Sequence, residues 1–235
     1  MRIISVAGQK DTGKTSLTAR IIEELTKRNY KVASIKHSHH QMEMDHKGTD
    51  TYKHTMAGSQ FTVGIGKRTY FNINQTISLE RLLFLIKIID EPDFVLIEGF
   101  KNYNYPKIST SPDLDDEYTI EVVDAKNLSD DDVQRLVDKV EKYGYDILPT
   151  LHTKECGYHD SHSIAKAIIN DELDYDDNNQ SELTLSVDGS VIGINGFVED
   201  FLTNTIMGML KSIKIEEYGP SDFNNIQISI NKKEK

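Results

Sequence analysis

Eight consecutive residues, Gly8-Gln9-Lys10-Asp11-Thr12-Gly13-Lys14-Thr15, have the form G-x-x-x-x-G-K-[ST]. Those residue types at that spacing bind phosphate. Gly8 and Gly13 let the backbone close around oxygens with no Cβ in the way, so successive amides can point inward as an anion nest. Lys14 neutralises the outer phosphates, and the Thr15 hydroxyl ligates Mg²⁺. Ser16 belongs to the same set, in the first turn of a helix whose N-terminus adds partial positive charge. An ion held this way needs a carboxylate nearby. Phe94-Val95-Leu96-Ile97-Glu98-Gly99 supplies one, as four apolar residues running into Glu98 and then a glycine that permits close approach. Strand ends beside such a loop are where open α/β sheets place ligands. These residues specify a nucleoside triphosphate with Mg²⁺ and leave the base open. The Asn- or Thr-Lys-x-Asp element that reads guanine in many GTPases has a partial counterpart in Thr153-Lys154, but Glu155 and Cys156 follow and the aspartate is absent.

A second group of chemistry-bearing residues is the polar stretch from His37 to Lys53, with His37, His39 and His40 followed by Asp45, Lys47 and Asp50. Imidazoles can hold a transition metal, yet nothing here has closed zinc spacing. The elements around these residues are legible. Arg2 to Ala7 reads as a strand and leads into a helix with Leu17, Ile21 and Leu25 four apart. Lys31 to Lys36 is a second strand. Phe61 to Ile65 and Thr69 to Ile73 form a hairpin about Gly66-Lys67-Arg68. Ser78 caps a helix that runs to about Ile89, Asp93 to Ile97 is a buried strand, and Tyr118 to Val123 is another. Ser129 caps a helix to about Tyr143, with Asp130, Asp131 and Asp132 where the helix dipole favours carboxylates.

This alternation predicts an α/β, P-loop NTPase three-layer fold with a mostly parallel sheet. The alternation stops near Tyr145, which divides the chain into a nucleotide-binding domain, 1–144, and a small α+β domain, 145–235. The second part offers a helix around Ile164 to Ile169, a hairpin around Asp188-Gly189, and an amphipathic helix from Phe197 to about Ile213. Phe197, Phe201, Ile206 and Leu210 of that last helix are expected to pack against strands of the same part.

The 235 residues carry a formal charge of −11, which argues against a general nucleic-acid binder. No apolar run is long enough for a membrane span, and the chain reads as soluble and unprocessed. A single cysteine, Cys156, cannot form an internal disulfide, so the cytoplasm is the expected compartment.

Taken together, the phosphate loop, Lys36-His37-Ser38-His39-His40, Asp45, Lys47-Gly48-Thr49-Asp50-Thr51, Ala57-Gly58-Ser59 and Ile97-Glu98-Gly99-Phe100-Lys101 resemble the MobB family. These are the adapter proteins of molybdopterin guanine dinucleotide biosynthesis, and the resemblance covers about residues 1–143. It implies a GTP-binding homodimer with weak GTPase activity at most, assisting the guanylyltransferase that converts molybdopterin and GTP into the dinucleotide cofactor. On that resemblance Gly8 to Ser16 hold phosphates, Glu98 with Gly99 lies near Mg²⁺, and His37, His39, His40, Asp45, Lys47 and Asp50 line the face offered to nucleotide or cofactor. Two other uses of the scaffold stay open. One is a small-molecule kinase with Asp45 or Asp50 aimed at the acceptor hydroxyl, and the other is a metallochaperone GTPase that carries an ion on the histidines.

Leu148 to Asn178 resembles a small four-cysteine iron–sulfur module, whose ligand positions fall on Thr153, Cys156, Ser161 and Asn178. One thiolate cannot hold a cubane, so no iron–sulfur cluster is expected. His152, Cys156, His159 and His162 form the alternative set for a different metal.

Overall fold

A computed structural model describes residues 1–38, 45–100, 103–147, 160–175, 183–187, 190–192 and 194–213, with 226, 228 and 230. Its centre is a five-stranded parallel sheet. The strands are β1 (Arg2–Ala7), β2 (Val32–Lys36), β5 (Phe94–Glu98), β6 (Lys107–Ser109) and β7 (Thr119–Val122), in the order β2-β5-β1-β6-β7. β1 and β5 are inner strands because they are apolar on both faces, and a strand covered on both sides needs a continuous apolar run. The edge strands β2 and β7 are only partly buried.

Alternate residues of the inner strands face two helical layers. Ile4, Val6 and Leu96 meet Leu17, Ile21 and Leu25 of α1 (Lys14–Lys27) and Val133, Leu136, Val137 and Val140 of α4 (Asp130–Tyr143). Ile3, Val95 and Ile97 meet Leu79 and Leu83 of α3 (Leu79–Asp90) and Ile164, Ala165 and Ile168 of α5 (Ser161–Ile169). Each fully buried Leu or Ile contributes about 1.5–3 kcal/mol, so these two layers hold the sheet ends in place. The helix starts follow the capping chemistry of the sequence. Ser78 accepts from the Arg81 amide, and Ser129 and Asp132 form a reciprocal capping box.

β1 leads through α1 to β2 on one side, whereas β6, on the other side of β1, leads to β7. Connections therefore diverge on either side of the β1 C-terminus, the position where such sheets leave a crevice.

Two elements differ from the sequence expectation. β6 has only three residues, Lys107-Ile108-Ser109, and its lysine is buried against Asp116 at 2.5 Å, so no apolar pattern announces it. The stretch after His37 contains α2 (Asp50–Met56), a helix with no buried residue and hence no apolar period, started by the Thr49 side chain accepting from the Tyr52 amide.

The hairpin of β3 (Phe61–Ile65) and β4 (Thr69–Ile73) forms as expected, apart from the main sheet. Thr62 and Gly64 of one face approach Thr55 and Thr51 of α2. The other face carries Phe61, Val63, Ile65 and Phe71, all exposed, with Ile65 at 83%.

In the C-terminal part β8 (Leu185–Val187) and β9 (Ser190–Ile192) pair antiparallel, as the Asp188-Gly189 signal suggests. α6 (Gly196–Ser212) is present, and its expected apolar stripe is covered only in part: Phe197 is 79% and Phe201 61% exposed, whereas Ile206 and Leu210 are half-buried. No helix of the described residues is long and apolar enough to cross a membrane.

Candidate nucleotide site

The loop 8–13 leaves β1 at the divergence point and enters α1. Gly13 has φ +88°, a left-handed conformation that an L side chain resists, and it starts α1 with no side-chain cap. No acidic residue stands in the first turn, so the α1 N-terminus keeps its donors and its positive end. Lys14 Nζ donates to the Gln9 carbonyl, closing the loop on itself. Asp11 also has positive φ, 61°, and is exposed beside Lys10.

The strand end of β6 clamps this loop. Thr12 Oγ1 and Thr110 Oγ1 are 2.6 Å apart, Thr12 donates to Gln9 O at 2.8 Å, and Thr110 donates to Ala7 O. Gln9 is committed outside the nest, since its amide donates to Ser111 Oγ at 2.8 Å and its side chain to Asp113 at 2.6 Å. On the β7 side, a Cβ added to Gly13 would lie 3.1 Å from Ala125 Cβ and 3.6 Å from Lys126 Cγ. The turn Asp124-Ala125-Lys126-Asn127 therefore lies directly against the phosphate loop. Asp124 ties that turn, accepting from Lys126 N and Asn127 Nδ2.

On the other side, Glu98 ends β5. Thr15 Oγ1 donates to Glu98 Oε1 at 2.7 Å, and Lys36 Nζ lies 3.3 Å from the same carboxylate oxygen. Gly99 N donates to Val6 O, and His37 N to Glu98 O, so both residues are pinned to the strand ends. The His37 ring lies 4.1 Å from that of Phe100, tilted by 32°.

The structure thus brings together Gly8 to Thr15, Glu98, Gly99 and His37, with Ser16 exposed in the first turn of α1. Asp45, Lys47 and Asp50 belong to the α2 turn, and the contacts of the two aspartates are local. Asp45 accepts from Thr49 and Thr51 hydroxyls and the His46 amide, and these bonds, the Thr49 one first, hold its carboxyl below the usual range. Its other oxygen, Oδ2, is buried with no partner among the described residues. Asp50 pairs with Lys53 at 2.8 Å, and Lys47 is exposed.

His39, His40, Thr153, Cys156 and Asn178 lie outside the described residues, as do His152 and His159. Ser161 opens α5. His162 directs Nδ1 to the Tyr118 hydroxyl and Nε2 to Glu117 at 3.4 Å.

Sequence reasoning missed Lys36, Thr110, Ser111 and the Asp124–Asn127 turn. Lys36 is visible in the sequence as the start of the 36–40 motif, but its place beside Glu98 depends on β2 pairing with β5. The others depend on β6 and β7, which are too short to align from pattern alone.

Comparison with known proteins places this geometry in a lineage. The family model "Molybdopterin guanine dinucleotide synthesis protein B" matches residues 3–126. A Methanocaldococcus jannaschii protein, provisionally named a molybdopterin-guanine dinucleotide biosynthesis adapter protein, is 34% identical over 91% of this chain and 92% of its own length. The Escherichia coli protein of that adapter name is 33% identical over 45% of this chain and 63% of its own. The crystal structure of Bacillus subtilis MobB is similar at 30% identity and TM-score 0.41, covering 46% of this chain and 67% of that one. With its family model spanning more than half of its length, and a relative alike along nearly all of it, the chain belongs to the MobB family.

Proposed function

We propose that the protein is a GTP-binding adapter of molybdopterin guanine dinucleotide biosynthesis, which presents Mg²⁺-bound GTP to a molybdopterin guanylyltransferase. The observation that carries this reading is the phosphate loop at the divergence point of the sheet, with an uncapped helix N-terminus, Lys14, and the Thr15–Glu98 pair on one side. Family membership supplies the pathway, and the names of the relatives supply the adapter role. The unit that binds nucleotide is 1–144, and 145–235 is an appendage whose helix α5 covers the second face of the sheet.

The donor set fits magnesium. One hydroxyl and one carboxylate are too few for a cation cage, and the described residues contain no cluster of three or more His, Cys, Asp or Glu able to hold a metal. Magnesium is commonly held in just this way, by one or two carboxylates with substrate phosphates and water. Thr15 and Glu98 would hold it, and the bound ion offsets charge on the phosphate oxygens. The loop 8–13 with Lys14 would hold the phosphates, beside Glu98 on one side and the Asp124–Asn127 turn on the other.

Turnover by the isolated protein is slow on this reading. Hydrolysis needs a group that orients water, and the loop glutamine, Gln9, is spent on Ser111 and Asp113. A rate on the order of one per minute or less follows. The exposed apolar face of the hairpin, Phe61, Val63, Ile65 and Phe71, supports a homodimer in which a second copy covers it. Ile65→Lys should then yield a monomer in sedimentation. An unchanged dimer moves the interface elsewhere.

Calorimetry tests the binding claim. Wild-type protein should bind GTP more tightly than ATP and only with Mg²⁺, and Lys14→Ala should lose binding while keeping its fold, since Lys14 opens α1 outside the buried core and alanine is a good helix former. Equal affinity in the variant would remove the phosphate-loop assignment.

A further inference from the structure

The strand ends carry a charge contact that phosphate binding itself does not require. Lys36, the last residue of β2, is in register with Glu98 of β5. Its Nζ lies 3.3 Å from Glu98 Oε1 and 3.4 Å from Thr15 Oγ1. These are the two oxygens assigned above to the ion. An ammonium that ion-pairs with the carboxylate and donates a long hydrogen bond to the hydroxyl stands in the space a divalent cation would take.

We propose that Lys36 is an internal counter-ion for the magnesium position. In the nucleotide-free protein it neutralises Glu98 and engages Thr15, and the divalent ion enters together with nucleotide phosphates by displacing the ammonium. The inference rests on the reading that Thr15 and Glu98 serve Mg²⁺-nucleotide, and it adds the order in which the ion can enter.

Three features favour a displaceable lysine over a fixed structural pair. The Glu98 side chain is 11% exposed, so an ionised carboxylate there is costly without a nearby positive charge. The Lys36 side chain is 48% exposed, so its ammonium can leave toward solvent or a phosphate while Glu98 stays. Lysine is also a compact charge on a flexible stem, without the rigid two-pronged grip of arginine. A hydrated divalent ion arriving alone gains one carboxylate and one hydroxyl, and must evict a cation to do so. Arriving with a triphosphate it brings further oxygen ligands, and the evicted ammonium gains an anionic partner. Ion and nucleotide binding thereby become coupled, and each raises the affinity for the other.

The test uses full-length protein without nucleotide and Mn²⁺ as the probe, with free Mn²⁺ followed by electron paramagnetic resonance. Wild type should bind Mn²⁺ weakly. Lys36→Met should bind it more tightly by on the order of tenfold, the effect of removing one charged hydrogen-bond partner from the carboxylate. Adding Glu98→Gln to Lys36→Met should abolish the gain. Lys36→Gln gives the same comparison if the methionine variant fails to fold. Equal Mn²⁺ affinity in wild type and Lys36 variants overturns the proposal, and so does a gain that survives Glu98→Gln. Because this comparison contains no nucleotide, it is read separately from GTP binding, whose absence in wild type would instead overturn the parent reading.

Discussion

Replacing Gly8 with alanine should damage the phosphate loop by a route the structure makes explicit. A Cβ at Gly8 would stand 1.9 Å from Thr110 Oγ1 and 2.9 Å from Thr12 Oγ1. Those hydroxyls lie 2.6 Å apart, and their two protons are shared among three acceptors: each other, Gln9 O and Ala7 O. Relief requires the Thr110 side chain to rotate away, which breaks the clamp between β6 and the loop. Overpacking of this kind costs about 1–3 kcal/mol, and each lost hydrogen bond about 1 kcal/mol. Gly8→Ala should therefore lose about 2–5 kcal/mol, a large share of the 5–15 kcal/mol of an ordinary domain. Urea unfolding followed by far-ultraviolet circular dichroism measures it, since the chain has no tryptophan. The cycle with Thr110→Ala is the sharper assay. That change removes the nearest clashing atom, so the double variant should be more stable than Gly8→Ala alone by about 1 kcal/mol. The reasoning fails if Gly8→Ala lies within about 0.5 kcal/mol of wild type, or if Thr110→Ala adds a further loss.

The Asp132 carboxyl is held below its usual value, chiefly by the Ser129 hydroxyl and then by the Ser129 amide. A depressed folded value means that this stabilisation is present in full above the unfolded value, about 3.9, and disappears as pH falls through the folded one. Asp132→Asn should flatten the fall in Tm between about pH 5 and 2, and identical slopes would contradict the capping-box role. Asp116→Asn should cost about 1–3 kcal/mol in urea unfolding, because it withdraws the carboxylate 2.5 Å from the buried Lys107 ammonium; no loss would show that other contacts of Lys107 suffice. Anaerobic incubation with iron and sulfide should leave the protein colourless, since Cys156 is its single thiol, and a stable visible chromophore on the protein would refute this.

Most of the fold was legible because its signals are local and redundant. Four-residue spacing placed α1, side-chain caps at Ser78 and Ser129 placed α3 and α4, and the apolar runs of β1 and β5 marked them as strands of a mostly parallel sheet. β6 was hidden because a buried lysine breaks its apolar run and its neutralising partner, Asp116, is nine residues away. α2 was hidden because it buries nothing. The last helix was read too fully as packed, as an apolar stripe records a capacity to pack: its first half, Phe197 and Phe201, is exposed, while Ile206 and Leu210 are half-buried. For the candidate site, the loop 8–13, Lys14, Thr15 and Glu98 were picked out by type and spacing, and the structure brings them together. Lys36, the Thr110–Ser111 clamp and the turn against Gly13 follow from which strands are neighbours, and that is a property of the sheet order.

The central claim is that this chain serves a transferase by presenting nucleotide, and cofactor yield tests it most directly. A reconstituted mixture of molybdopterin guanylyltransferase, molybdopterin, GTP and Mg²⁺ should form more guanine dinucleotide cofactor with the wild-type protein than without it. Lys14→Ala, folded but unable to hold the triphosphate, should lose that stimulation. Identical yields with wild-type protein, with the variant and with none would contradict the account.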